Sequence, residues 1–380
     1  MGAFCSMSEK NEILGNLSTS EEGIYIMEHQ EPSHKRRVRY KGTHPRTYQE
    51  KYKELQPEKY ADTIEKVIRK GSTPAGMHIP ICVQEILDFL QIEQGQTGLD
   101  ATLGYGGHAR RMLECLKGKG HLHAMDVDPE ESAKTTKRLR DLGYTEEILT
   151  VHLLNFAQMD QIAEEAGGFD FVLADLGISS MQIDNPDRGF SYKTEGPLDL
   201  RMNQQKGISA AERLRKIDRE ELMGMLAENA DEPYAEEIAC EIVSRQKRGS
   251  QIRTTTQLRE AVEGALSFLP VRERKEAVKK SCQRTFQALR IDVNNEYEVL
   301  YEFLEKLPGV LRPGGRAAIL TFHSGEDRLV KKSFKYFLRK GQYCEIAPEA
   351  VRPSAGECAK NSRARSAKMR WAVKVRGGEE

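Results

Sequence analysis

Asp100, Asp126 and Asp175 each close a short apolar run, in "GLD", "HLHAMD" and "FDFVLAD", and such runs read as strands. Gly104, Gly106 and Ala109 follow the first run as G-x-G-x-x-A and open a helical pattern, and Asp126 stands 22 residues beyond Gly104. Glycines there let a ligand approach the backbone, a helix N-terminus favours electron-rich groups, and an acid after the second strand accepts hydrogen bonds from ribose hydroxyls. NAD and S-adenosylmethionine both carry ribose and adenine, so the loop alone fits either. Acids converging on one crevice repel a pyrophosphate and suit a sulfonium. Taken singly, each aspartate also reads as a helix cap or turn residue.

Other side chains extend this chemistry. Phe156, after the third apolar run, is placed either to stack on adenine or to pack beneath a loop. The stretch from Ser179 to Met202 is polar, rich in turn formers and longer than a plain connection needs, as active-site loops often are. Within it Arg188 and Arg201 suit phosphate, Asp199 suits a cap or a partner for either arginine, and Phe190 or Tyr192 suits stacking on a base. "TFHSGEDR" gathers His323, Ser324 and Asp327 at the end of another apolar run. Without a G-x-S-x-G elbow these read as a helix start rather than a hydrolase triad, with His323 lining the crevice or satisfying a backbone group.

Elements that hold such residues can be read from pattern. Four apolar runs, "GLDATLG", "HLHAMDVD", "LTVHLLNF" and "FDFVLADLG", alternate with helical segments, which predicts parallel strands with crossover helices. A fifth, "GRAAILTFHS", comes only after about 110 residues of mostly helical pattern. "SAAE" at Ser209 and "DREE" at Asp218 have capping-box spacing. These features predict a helical insertion over 187–284 between the fourth and fifth strands. A helix over 285–311 ended by "RPGG", and an edge strand in "MRWAVKV", complete the reading. The domains expected are an N-terminal extension over 1–76, a first catalytic part over 77–186, the insertion as an RNA-recognition unit, and a second catalytic part with a basic tail over 285–380.

Composition sets the outer limits. The 380 residues hold 58 Lys and Arg against 58 Asp and Glu, with 38% hydrophobic residues, so the chain reads as globular without a charge-driven partner. Seven scattered cysteines suggest neither a disulfide framework nor a zinc site, no metal is expected, and a reducing cytoplasm is the expected compartment. No run suits a membrane span. Basic clusters at Lys35–Arg46 and Arg245–Arg259 contain no acid, and the first is interleaved with tyrosines, a pattern that fits RNA or a solvated face.

Over roughly 77–371 the chain resembles the MraW/RsmH family of S-adenosylmethionine-dependent 16S rRNA cytosine N4-methyltransferases. The resemblance rests on ordered strings that include "DATLGYGGHARRML", "DVDP", "ADLGISSMQID", "RGFSY", "EGPLDLRM", "RTFQALRIDVN" and "LRPGGRAAILTFHSGEDRLVK". It implies a class I, Rossmann-like α/β fold: a mostly parallel seven-stranded sheet with a helical domain inserted between strands 4 and 5. It also implies S-adenosylmethionine contacts at Gly106, Gly107, His108, Asp126, Phe156, Asp175 and Gln182, and a target cytidine in the decoding region of the small ribosomal subunit. Asp175 is the candidate acceptor for the amino proton. Arg188, Asp199, Arg201, Arg284 and His323 are the candidate substrate contacts, and a monomer or homodimer is expected. A non-catalytic ribosome-binding or assembly factor on the same fold is the alternative. The chain departs from the family's usual strings at "SSMQID", at "SCQRTFQ", at Asn203 and at Gly325, where leucine is usual.

Overall fold

The computed structural model describes residues 80–377. The N-terminal extension, its basic segment at Lys35–Arg46 and the boundary near residue 76 lie outside those residues. The apolar runs form strands β1 (Thr97–Asp100), β2 (His121–Met125), β3 (Leu149–His152), β4 (Phe169–Asp175) and β5 (Leu311–Thr321). With β6 (Tyr343–Ile346) and β7 (Lys368–Lys374) they make a seven-stranded sheet in the order β3-β2-β1-β4-β5-β7-β6. β1 to β5 are mutually parallel, and β7 runs antiparallel to both β5 and β6. "MRWAVKV" is therefore an interior strand. The edge belongs to β6, a four-residue strand whose first residue, Tyr343, is buried and whose next two are exposed, too short a pattern to read beforehand.

Helices cover both faces of the sheet. On one, α1 (Val83–Leu90) and α2 (Gly107–Leu116) bury Ile86, Leu90, Met112 and Leu116 against Leu122 and Phe171. α3 (Pro129–Asp141) crosses from β2 to β3. On the other face, α4 (Met159–Ala166) packs with Phe169 and Ile319. Strand order reverses direction between β1 and β4, and open α/β sheets bind ligands at such a point, outside the carboxyl ends of the strands. Asp100 and Asp175 end those two strands.

The insertion follows a short helix α5 (Ser180–Asp184). Its helices α6 (Ala210–Lys216), α7 (Arg219–Ala230), α8 (Ala235–Lys247) and α9 (Thr255–Ala265) enclose a separate apolar core with Leu214, Leu226, Ile242 and Val262. Ser209 caps α6 in a full capping box with Glu212, and Asp218 accepts from the backbone N–H of Glu221 at the start of α7, as their spacing predicted. α10 (Val271–Asn294) then runs without a break through residue 284, and its Phe286, Ala288 and Leu289 belong to the insertion's core, so the expected boundary at 284/285 falls inside a helix. The helix expected over 285–311 is thus two. α10 ends at left-handed Asn295 (φ 50°), α11 (Glu296–Val310) follows, and "RPGG" lies within β5. α12 (Ser324–Arg339) and α13 (Ala355–Lys360) complete the chain.

Lys368 and Arg370 turn inward to Asp327, at 2.7 and 2.6 Å, and Arg363 reaches Asp184 at 3.1 Å, so these three basic residues of the tail are committed to folded contacts. No helix among the described residues is long and apolar enough to cross a membrane.

Candidate active site

A cavity of about 740 Å³ opens at the carboxyl ends of β1, β2 and β4 and extends to the start of α11. That volume falls within the usual range for small-molecule and cofactor sites. Gly107, His108, Asp126, Phe156, Asp175, Gln182, Arg201 and His323 line it.

The glycine loop is shaped by packing. Gly106 is the N-cap of α2 with φ 78°, where a Cβ would fall 2.8 Å from the Thr135 methyl, so this glycine sets the turn and does not itself line the cavity. Gly107 lies against Pro80, whose Cγ would be 2.4 Å from an added Cβ. The backbone N–H of Gly104 donates to Asp126 Oδ2 at 2.8 Å, and that of Asp128 donates to Asp126 Oδ1 at 2.9 Å, which together orient the Asp126 carboxylate. Phe156 stands edge-on to Phe303, with centroids 5.1 Å apart, on the cavity wall.

His108 is buried, with Nε2 3.0 Å from the Ile81 carbonyl and Nδ1 3.4 Å from Asp175 Oδ2. Burial opposes its cation, but the Asp175 hydrogen bond, the charges of Asp175 and Asp100 and the Ile81 carbonyl outweigh it and raise its pKa. The backbone N–H of Asp175 donates to Thr102 Oγ1 at 2.6 Å, while Asp175 Oδ1 is buried without a partner. Asp100 Oδ2 is likewise buried and unpartnered. Asp126 and Asp175 stand on the cavity wall beside the glycine loop, whereas Asp100 does not reach it, and carboxylates there suit the positive charge of a sulfonium cofactor.

Burial, above all, pushes Asp100 up to about 7 and Asp126 up to about 6. Their folded-state values lie above the ordinary aspartate value of about 3.9, so their contribution to stability is complete below that value and is lost as pH rises through 6 to 7. Asp100→Asn keeps an acceptor for the Thr102 N–H and removes that titration. The wild-type protein should therefore lose on the order of 2 kcal/mol more than Asp100→Asn between pH 5 and 8, read from denaturant midpoints. Equal pH slopes for the two proteins would show that Asp100 is already ionised in the fold.

The expected substrate residues divide. Arg201 reaches the cavity but holds Asp199 in a bidentate pair, with Nε–Oδ1 2.7 Å and Nη2–Oδ2 2.8 Å. That pairing outweighs burial and lowers the Asp199 pKa. Asp199 is thus a partner for Arg201 rather than a cavity residue. Arg188, expected at phosphate, is buried and points away from the cavity: Nη1 meets Asp128 Oδ2 at 2.6 Å and Nη2 donates to the Met202 carbonyl at 2.6 Å. Arg284 is half-buried on α10 and does not reach the cavity either. Sequence carries residue type, but local partners decide direction for Arg188 and Arg201, and register on α10 decides it for Arg284.

His323 both lines the cavity and caps α12, with Nδ1 accepting from the Glu326 N–H and Nε2 3.0 Å from Glu326 Oε1. Burial disfavours the Glu326 anion, yet hydrogen bonding and charge from His323, with Arg290 nearby, lower its pKa. Asp327 faces β7 instead, which disposes of a triad. At Gly325 an added Cβ would fall 1.9 Å from Tyr297 Oη, which itself donates to the Asn229 carbonyl at 3.1 Å. The tyrosine occupies the space that a leucine at this position would need. Gly325→Leu should destabilise by about 1–3 kcal/mol through overpacking, and adding Tyr297→Ala should recover part of that loss in denaturant melts.

Sequence reading missed Asp128 and Asn294. Asp128, which stands before a proline in "DVDP", caps α3, and Gln182 Nε2 also donates to it at 2.9 Å and Arg188 from 60 residues away. Asn294 bonds Leu200 and Met202 across more than 90 residues, for which no local signal exists.

The model of the MraW methylase family matches residues 75–375. The chain is 70% identical over 348 residues to ribosomal RNA small subunit methyltransferase H 1 of Lachnoclostridium phytofermentans, covering 92% of this chain and 95% of that one. It is 65% identical over 346 residues to the protein of the same name from Agathobacter rectalis, covering 91% and 99%, and 54% identical over 339 residues to ribosomal RNA small subunit methyltransferase H 2 of Acholeplasma laidlawii, covering 89% and 98%. Matches of that length and identity run through the sheet and the insertion alike, and the chain belongs to the MraW methylase family.

Proposed function

We propose that this protein is an S-adenosylmethionine-dependent methyltransferase that modifies the exocyclic N4 of a cytidine in 16S rRNA, and that it works in the cytoplasm on the small ribosomal subunit. The observation that carries the reading is the Asp175 carboxylate, on the cavity wall at the end of β4 with Oδ2 3.4 Å from His108. Its relatives are named as small-subunit ribosomal RNA methyltransferases, and the specificity for N4 is our inference.

S-adenosylmethionine, when bound, supplies an electrophilic methyl group on a positively charged sulfur. Gly104 to His108 shape the cradle, Asp126 suits ribose hydroxyls, Phe156 suits adenine, and Gln182 closes the wall beside Asp128. Conjugation with the ring makes a cytosine amino group a poor nucleophile, so its orientation and a hydrogen-bond acceptor matter most. The Asp175 carboxylate is the acceptor, and His108 holds it in place through Oδ2. A base must leave its stack to reach this depth, as in other enzymes that act on nucleobases.

A non-catalytic assembly factor has no use for buried acids converging on a cavity, and the relatives' names do not favour it. Nucleoside mass spectrometry of small-subunit rRNA, from cells with and without this gene, tests the proposal. N4-methylcytidine should disappear in the deletion, and its persistence would sink the reading.

A further inference from the structure

We infer that Arg188 and Asn294 form a two-sided clamp that positions the Arg201–Asn203 wall of the cavity for the substrate base, a conclusion that rests on the rRNA methyltransferase reading above. Leu200 is fully buried and holds a left-handed backbone (φ 63°), a conformation that an L-residue with a bulky side chain keeps only when its surroundings impose it. The surroundings here are two side chains. From one side the Arg188 guanidinium donates to the carbonyls of Arg201 at 3.1 Å and Met202 at 2.6 Å, while the Leu200 N–H donates to the Arg188 carbonyl at 3.2 Å. From the other, Asn294 Oδ1 accepts from the Met202 N–H at 2.7 Å and its Nδ2 donates to the Leu200 carbonyl at 2.8 Å. Arg201, Met202 and Asn203 then stand on the cavity wall.

The clamp is anchored on the cofactor side. Asp128 Oδ2 takes Arg188 at 2.6 Å and Gln182 at 2.9 Å, and the Asp128 N–H holds Asp126, the acid suited to ribose. One buried carboxylate therefore fixes both the shelf under the cofactor and the wall facing the base. Arg188 lies behind the cavity wall and Asn294 at its edge, and their role is to set the distance between those two surfaces.

Arg188→Lys separates this role from simple charge pairing. A lysine keeps a cation for Asp128 but lacks the planar fork that spans a carboxylate and two carbonyls. The full-length protein, Arg188→Lys, Asn294→Ala and the double variant are compared on small subunits from cells lacking the gene, with kcat and KM for the subunit, and calorimetric Kd and stoichiometry for S-adenosylmethionine. In both single variants kcat should fall by about 10- to 100-fold, as expected for a displacement approaching 1 Å. Cofactor stoichiometry should stay at one site and Kd should change by less than about threefold. The double variant should be little worse than the worse single one, because both residues serve one element. Wild-type kcat in Arg188→Lys would overturn the clamp, as would a loss of cofactor affinity that matches the loss in kcat. Failure of the wild-type protein to methylate its subunit would instead sink the underlying functional reading.

Discussion

Asp175→Ala should reduce methylation of small subunits by between about 10²- and 10⁴-fold, the range seen when a positioned proton acceptor is removed. The carboxylate sits where the sheet's switch point demands, at the end of β4 beside β1, and its backbone is tied to Thr102 so that it cannot swing away. One oxygen meets His108, the other is buried without a partner, and the residue stands on the cavity wall. Alanine removes the acceptor and also leaves His108 without its carboxylate. Asp175→Asn distinguishes these effects, because the amide keeps a hydrogen-bonding oxygen but not the carboxylate charge that raises the His108 pKa. Quantifying N4-methylcytidine by mass spectrometry, together with calorimetric affinity for S-adenosylmethionine, gives the result. Methylation at the wild-type rate in Asp175→Ala would remove Asp175 from the chemistry altogether.

Asp128→Ala should lower the stability of the ligand-free protein by about 3–5 kcal/mol, the range for deleting one partner of a buried ion pair. Arg188 is 6% exposed and Asp128 2% exposed, so water cannot take over the lost interaction. The same carboxylate caps α3 by accepting from the N–H groups of Glu130 and Glu131, and the cap adds about 1 kcal/mol to the loss. Asp128→Asn retains the cap oxygen but weakens the hold on Arg188, and should fall between the wild-type protein and alanine. Urea midpoints at pH 7 measure all three. An alanine variant within about 0.5 kcal/mol of the wild type, the spread of ordinary surface substitutions, would show that Arg188 finds another partner.

These expectations draw on both kinds of information. The five parallel strands were legible because apolar runs of strand length alternated with helical periods, and three of those runs ended in an acid. The glycine loop was legible for the same local reason. Caps at Ser209 and Asp218 need only four residues to form, and their signals held. The joint between α10 and α11 was not legible, since one left-handed Asn295 interrupts an otherwise helical pattern without glycine or proline.

What the sequence by itself determined is the chemistry available: acids at three strand ends, glycines where backbone must come close, and arginines in the loop after β4. Direction was decided by tertiary structure alone. Arg188 and Arg201 look alike in the chain, yet burial beside Asp128 turns one into a clamp, while pairing with Asp199 leaves the other on the cavity wall. The partners that decide this are 60 residues apart for Arg188 and Asp128 and 92 apart for Met202 and Asn294. Hydrogen bonds across such separations leave no local period or spacing, because they exist only once the insertion has closed over the carboxyl ends of the strands.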